Sequence, residues 1–161
     1  MLLRSIAALM VLIATPAGGS AEAQSSGSTL VQLTLLPSLA VTGTQDLAFG
    51  TVASFSSTTV LARDGGRFTI QGQPNAPVVI EMTQLPPNLA PNLSLDAWTG
   101  LHGRAPGAGG ATAFAPVPGG SLFAVLHTNG RYFIWLGATL TATGAPPGAH
   151  SAPLVITVGY N

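Results

Sequence analysis

Leu154-Val155-Ile156-Thr157-Val158-Gly159-Tyr160-Asn161 places Leu154, Ile156, Val158 and Tyr160 on one side and Val155, Thr157 and Gly159 on the other. A period of two residues is that of a β-strand with one face against a core. The same alternation recurs near the other end, where Val31, Leu33 and Leu35 oppose Gln32 and Thr34. Between these segments the chain keeps the same grammar. Phe68 and Ile70 alternate with Thr69 and Gln71, and Val78, Ile80 and Met82 alternate with Val79, Glu81 and Thr83, which puts Glu81 on a wet face. Asp46–Val52 reads as a strand with Leu47 and Phe49 inward, interrupted at Gly50.

Arg131–Ala138 departs from one-sided alternation. Tyr132, Ile134 and Leu136 share one side and Phe133 and Trp135 the other. A strand apolar on both faces is expected at the centre of a packed structure, or else carries an exposed aromatic patch. Asn129-Gly130 lies between this run and Ser121–His127, and Asn-Gly between apolar runs predicts a hairpin. Pro86–Gly120 is rich in proline and glycine, with a strand expected over Leu93–Trp98 and an exposed tip over Gly103–Gly110.

The tally is about eight short strands with turn residues every 8 to 12 positions, a pattern that predicts an all-β, immunoglobulin-like, Greek-key β-sandwich. The expected organisation is a cleavable signal peptide over residues 1–23, a flexible leader over 24–29 and one sandwich domain over 30–161. The leader reading rests on Arg4, on the apolar run Ile6–Ala14 and on the small-x-small site Ala21-Glu22-Ala23, which puts cleavage between Ala23 and Gln24. That run falls well short of the roughly 20 residues a membrane-spanning helix needs. No integral span is therefore expected once the leader is removed.

Charge and cysteine narrow the chemistry. Charged residues make up 6% of the chain, the formal net charge is zero, and every cation is an arginine. A nucleic-acid binder would show a basic face, so that class is disfavoured. Hydrophobic content of 47% argues against disorder. A neutral surface has little long-range repulsion to keep copies apart. Absence of cysteine removes thiolate metal sites, thiol nucleophiles and disulfides together.

Each reaction class demands residues in a particular arrangement. His102, His127 and His150 all adjoin turns and share no ligand-like spacing. No G-x-S-x-G elbow is present. Asp46, Asp64, Glu81 and Asp96 offer no evident pair for glycoside chemistry. The glycine-rich Gly107-Ala108-Gly109-Gly110 lacks the strand, helix and lysine of a phosphate loop. No catalytic, metal or cofactor residue is therefore assigned, and a non-enzymatic protein is expected.

Four landmarks in order carry a family likeness: Asp46-Leu47-Ala48-Phe49-Gly50-Thr51-Val52, then Arg67 to Val78 (RFTIQGQPNAPV), then Gly137-Ala138-Thr139-Leu140-Thr141, then Leu154 to Asn161. In these pieces the chain resembles the bacterial secreted domain-of-unknown-function 4402 family over Leu30 to Asn161. The resemblance implies an immunoglobulin-like sandwich exported by a Gram-negative bacterium, of the fimbrial or spore-coat-U-like surface kind. It transfers no catalytic residue, and the missing disulfide departs from many pilins assembled by chaperone and usher.

Two functional classes follow. The first is a pilin-like or coat-like structural subunit, secreted to the periplasm or cell surface and associating through β-strand pairing. Val31, Leu33 and Leu35 are its candidate assembly strand, and Leu154, Ile156, Val158 and Tyr160 its candidate C-terminal pairing strand. The expected partners are other copies or other surface subunits and, before assembly, a periplasmic chaperone. A first strand pairing within its own domain is the competing reading of Leu30–Leu36. The alternative class is a periplasmic or cell-surface ligand- or carbohydrate-binding module, which would use solvent-facing Trp98, Trp135 or Tyr132.

Overall fold

The computed structural model describes Leu33 and residues 38–161, and every element below lies within the compact unit Leu35–Asn161. The signal segment, the cleavage pair Ala23 and Gln24, the leader, and Val31 and Leu35 lie outside the described residues. The described chain is all-β: β1 (Ala40–Gln45), β2 (Ser57–Val60), β3 (Gly66–Gln71), β4 (Pro77–Gln84), β5 (Asn88–Ala90), β6 (Leu93–Gly103), β7 (Thr112–Phe114), β8 (Ser121–Val125), β9 (Arg131–Ala142) and β10 (Val155–Tyr160). One 3-10 turn, Ala62–Asp64, joins β2 to β3. No helix among the described residues is long and apolar enough to cross a membrane.

All strand pairs are antiparallel. A seven-stranded sheet runs β1-β3-β9-β6-β5, with β2 also on β9 and β7 also on β6; a three-stranded sheet runs β10-β4-β8. Strand β9 is the spine of the large sheet. On one side its first half pairs with β3 and its second half with β2, and on the other side it pairs with β6 along most of its length. Gly137 marks the handover. A Cβ there would stand 2.4 Å from both Ala62 N and Val60 O, so only glycine lets the 3-10 turn cross the strand.

Both faces of β9 are buried over Tyr132–Ala138, as its two-sided apolar run predicted. Tyr132, Ile134 and Leu136 meet Val78, Ile80 and Met82 of β4 and Ile156 of β10, so the main core lies between the two sheets. Phe133 and Trp135 face outward and are covered by Ala62, Leu101, Ala108 and Ala111. The Gly103–Gly110 stretch, expected as an exposed tip, therefore contributes Ala108 to a cover over two aromatic rings. Farther along, Thr59 and Thr139 hydroxyls bond at 2.9 Å on the outer face.

Two further expectations meet corrections. The Asn129-Gly130 turn forms, with Gly130 at φ 74°, Gly130 N donating to His127 O and His127 N donating to Arg131 O. That is the three-residue loop ending in a left-handed glycine. Its arms separate at once, however, because β8 pairs with β4 and β9 with β3 and β6. The turn carries the chain from one sheet to the other, and Leu122 and Ala124 of β8 meet Tyr132, Ile134 and Leu136 of β9 in the core between them. Secondly, Asp46–Val52 forms no ladder. Leu47, Phe49 and Val52 do turn inward, against Leu93, Leu95, Leu140 and Ala142. Alternation reports which side is apolar, not whether a partner backbone is within reach.

Removing the side chain of Ile134, fully buried between the sheets, is expected to cost about 2–5 kcal/mol. Urea denaturation of Ile134→Ala should show a lower midpoint at an unchanged slope. Gly137→Ala, which sets one methyl on β9 against the backbone of Val60, Leu61 and Ala62, should lose about 1–3 kcal/mol by the same measurement.

Candidate functional site

The small sheet covers only half of the large one. Opposite Tyr132, Ile134 and Leu136 stand β4 and β10, but the next inward residues, Ala138, Leu140 and Ala142, are met by chain without ladder pairing. A groove of about 1120 Å³ opens there. Its floor is Leu93, Leu95, Leu140 and Ala142, with Trp98 and Phe68 beside them. One wall is Asp46–Ser54 and the other Ala145–Leu154.

Each wall has a local reason to stay irregular. The second contains Pro146, Pro147, Gly148 and Pro153, and proline cannot donate to a ladder. The first alternates, with Leu47 and Phe49 half-buried and Asp46, Ala48 and Gly50 exposed, until Gly50 at φ 67° turns it. No backbone hydrogen bond joins Asp46–Val52 to another described residue. This segment has the side-chain pattern of a strand and, among the described residues, an edge without a ladder partner.

The groove holds one carboxylate, Asp46, and one imidazole, His150, whose Nε2 lies 3.1 Å from Pro146 O. Its chemistry is therefore that of an apolar trough bordered by backbone donors and acceptors that have no ladder partner among the described residues. Such a site takes a row of aliphatic side chains and an extended backbone.

The candidate strands fall as follows. Leu33 is 79% exposed. Ile156 is buried, and Leu154, Val158 and Tyr160 pack against the main core, so this face of β10 lies inside the domain and its backbone pairs with β4. Of these four, Leu154 also touches the groove. Among the described residues, β10 presents its other edge unpaired. Tyr160 Oη accepts from Gln73 N at 2.9 Å. Trp135 and Tyr132 are buried and Trp98 is half-buried against both core clusters, so Trp135 and Tyr132 offer no open stacking face. The groove itself escaped the sequence reading. Its signal was the proline-rich run before Leu154, which announces missing ladder bonds but not what they leave uncovered.

The three histidines do not converge, and the described residues contain no group of three or more His, Asp or Glu placed to hold a metal ion. His102 instead meets Tyr132, Nδ1 to Oη at 2.6 Å, with Phe114 edge-on at 5.6 Å. Burial holds the imidazole below its ordinary 6.5. Burial likewise raises the Tyr132 phenol, with Arg104 opposing the shift. Above pH 6.5 both folded and unfolded His102 are neutral, and the full stability is present. As pH falls through that value the unfolded chain takes up the proton first, so stability drops until the lower folded-state value is passed. Thermal unfolding should therefore show a melting temperature that declines on acidification below about pH 6.5, with a shallower decline in His102→Gln.

Compared with protein-family models, with curated proteins and with solved structures, the chain matches none.

Proposed function

We propose that this chain is a non-enzymatic structural subunit, exported to the periplasm or surface of a Gram-negative bacterium, that joins other subunits by lending and receiving a β-strand. Its fold in this reading is an immunoglobulin-like, Greek-key sandwich in which the groove takes the place of a strand. The donor is the 30–36 segment of a neighbouring copy, with Val31, Leu33 and Leu35 facing the floor.

One observation carries the reading: an apolar-floored groove of about 1120 Å³ bordered by Asp46–Val52, a segment that has no backbone hydrogen bond to another described residue. An open strand edge beside an apolar trough is what strand addition satisfies, since main-chain bonds give affinity and alternate side chains give register. The exposed Leu33 supports a donor role, because an aliphatic side chain left in water gains by burial elsewhere. Three such side chains are worth about 1.5–3 kcal/mol each on burial, before ordering costs are subtracted. Zero net charge lets copies approach without mutual repulsion.

Deleting residues 24–36 tests the donor assignment. A folded, soluble monomer that melts cooperatively and no longer forms chains in the electron microscope is the expected outcome. A synthetic peptide of residues 28–37 should then bind it and raise its melting temperature, and the same peptide with Leu33→Asp should not. Loss of folding on deletion would instead assign the segment to its own domain and end this reading.

A further inference from the structure

The outer face of the β1-β3-β9 edge carries a second recess, of about 380 Å³, unconnected with strand exchange. Its lining follows the cross-strand rows. Ala40, Gln71 and Arg131 form one and Thr42, Thr69 and Phe133 the next; Arg67 comes from the third, and Thr44 and Pro106 complete the rim. Arg131 and Arg67 thus stand on either side of the threonine row.

Charge is what sets this recess apart. The described residues include four arginines; Arg63 lies 3.8 Å from Asp64 and Arg104 donates to Val125 O. The other two, Arg67 and Arg131, both line the recess, and no carboxylate does. Arg67 Cζ lies 5.3 Å from the Phe133 ring centroid and 5.9 Å from that of Trp135, which holds the guanidinium in place. Its Nε is buried with no hydrogen-bond partner. A buried unsatisfied donor on a cation is costly to leave so, and an anion brought beside the guanidinium would offset part of that cost.

We infer that this recess binds the carboxylate of an acidic sugar, with Arg67 and Arg131 taking the anion and Thr42, Thr69 and Gln71 taking ring hydroxyls. A guanidinium matches a carboxylate through two parallel N–H bonds. Threonine hydroxyls and a glutamine amide both donate and accept, as sugar hydroxyls do. The volume falls at the low end of the range usual for small-molecule pockets, about 300–1,000 Å³. Polar recognition here replaces the aromatic stacking that buried Trp135 and Tyr132 do not offer.

The test is isothermal titration of the purified protein with a trimer of galacturonic acid at low salt, with the neutral galactose trimer and inorganic phosphate as controls. The acidic trimer should bind, the neutral one should not, and phosphate should bind at least about tenfold more weakly. Arg131 is exposed, so Arg131→Gln should fold normally, checked by an unchanged melting temperature, and should weaken the acidic trimer about tenfold or more. Thr42→Val, also at an exposed position, should weaken it several-fold. Leu33→Asp, which addresses assembly, should leave the titration unchanged, so failure here and failure of the strand-exchange reading are separable. Equal binding of the neutral trimer or of phosphate, no binding of the acidic trimer, or wild-type affinity in Arg131→Gln would each overturn the assignment.

Discussion

The lateral hydrogen bonding of β9 is the constraint on which the remaining structure depends. Its side chains from Tyr132 to Leu136 are buried on both faces, so water cannot serve its backbone, and every N–H and C=O must find a neighbouring strand. Strands β3 and β2 satisfy one side and β6 the other. The 3-10 turn, the glycine under it and the bulge of β6 between Asp96 and Thr99 are accommodations to that requirement. Ala97, at φ 45°, takes the strain of the bulge.

A core made this way contains almost no polar group. Tyr132 aside, no side chain with a polar atom among the described residues is buried as a whole except the indole of Trp135, and the buried Tyr132 hydroxyl and the half-buried His102 satisfy each other. Low charge and a dry core are two sides of one composition. With so few ionisable groups, specificity has to come from shape, from backbone edges and from the few arginines that are present. The groove offers the first two and the outer recess the third.

Legibility differed from element to element for physical reasons. The central position of β9 could be read from Phe133 and Trp135 opposing Ile134 and Leu136, because two apolar faces have no other common explanation in a strand. The inward faces of Leu47, Phe49, Ile156 and Val158 were equally readable. The His127–Arg131 turn was visible too, but not that its arms enter different sheets, since turn chemistry is local while sheet assignment is a competition among distant strands. The short β5 and β7 were hidden within the proline- and glycine-rich stretch. Neither recess showed in the one-dimensional pattern, since each is lined by residues from segments far apart in the chain.

From the order of residues alone come the all-β class, the faces of the strands and the poverty of reactive groups, because each follows from side-chain period and composition. The tertiary structure alone settles which strands are neighbours, that the three-stranded sheet stops short of Ala138, Leu140 and Ala142, and that two arginines share one recess. Period acts over a few residues, whereas pairing and coverage arise only when the whole chain has chosen among its possible neighbours.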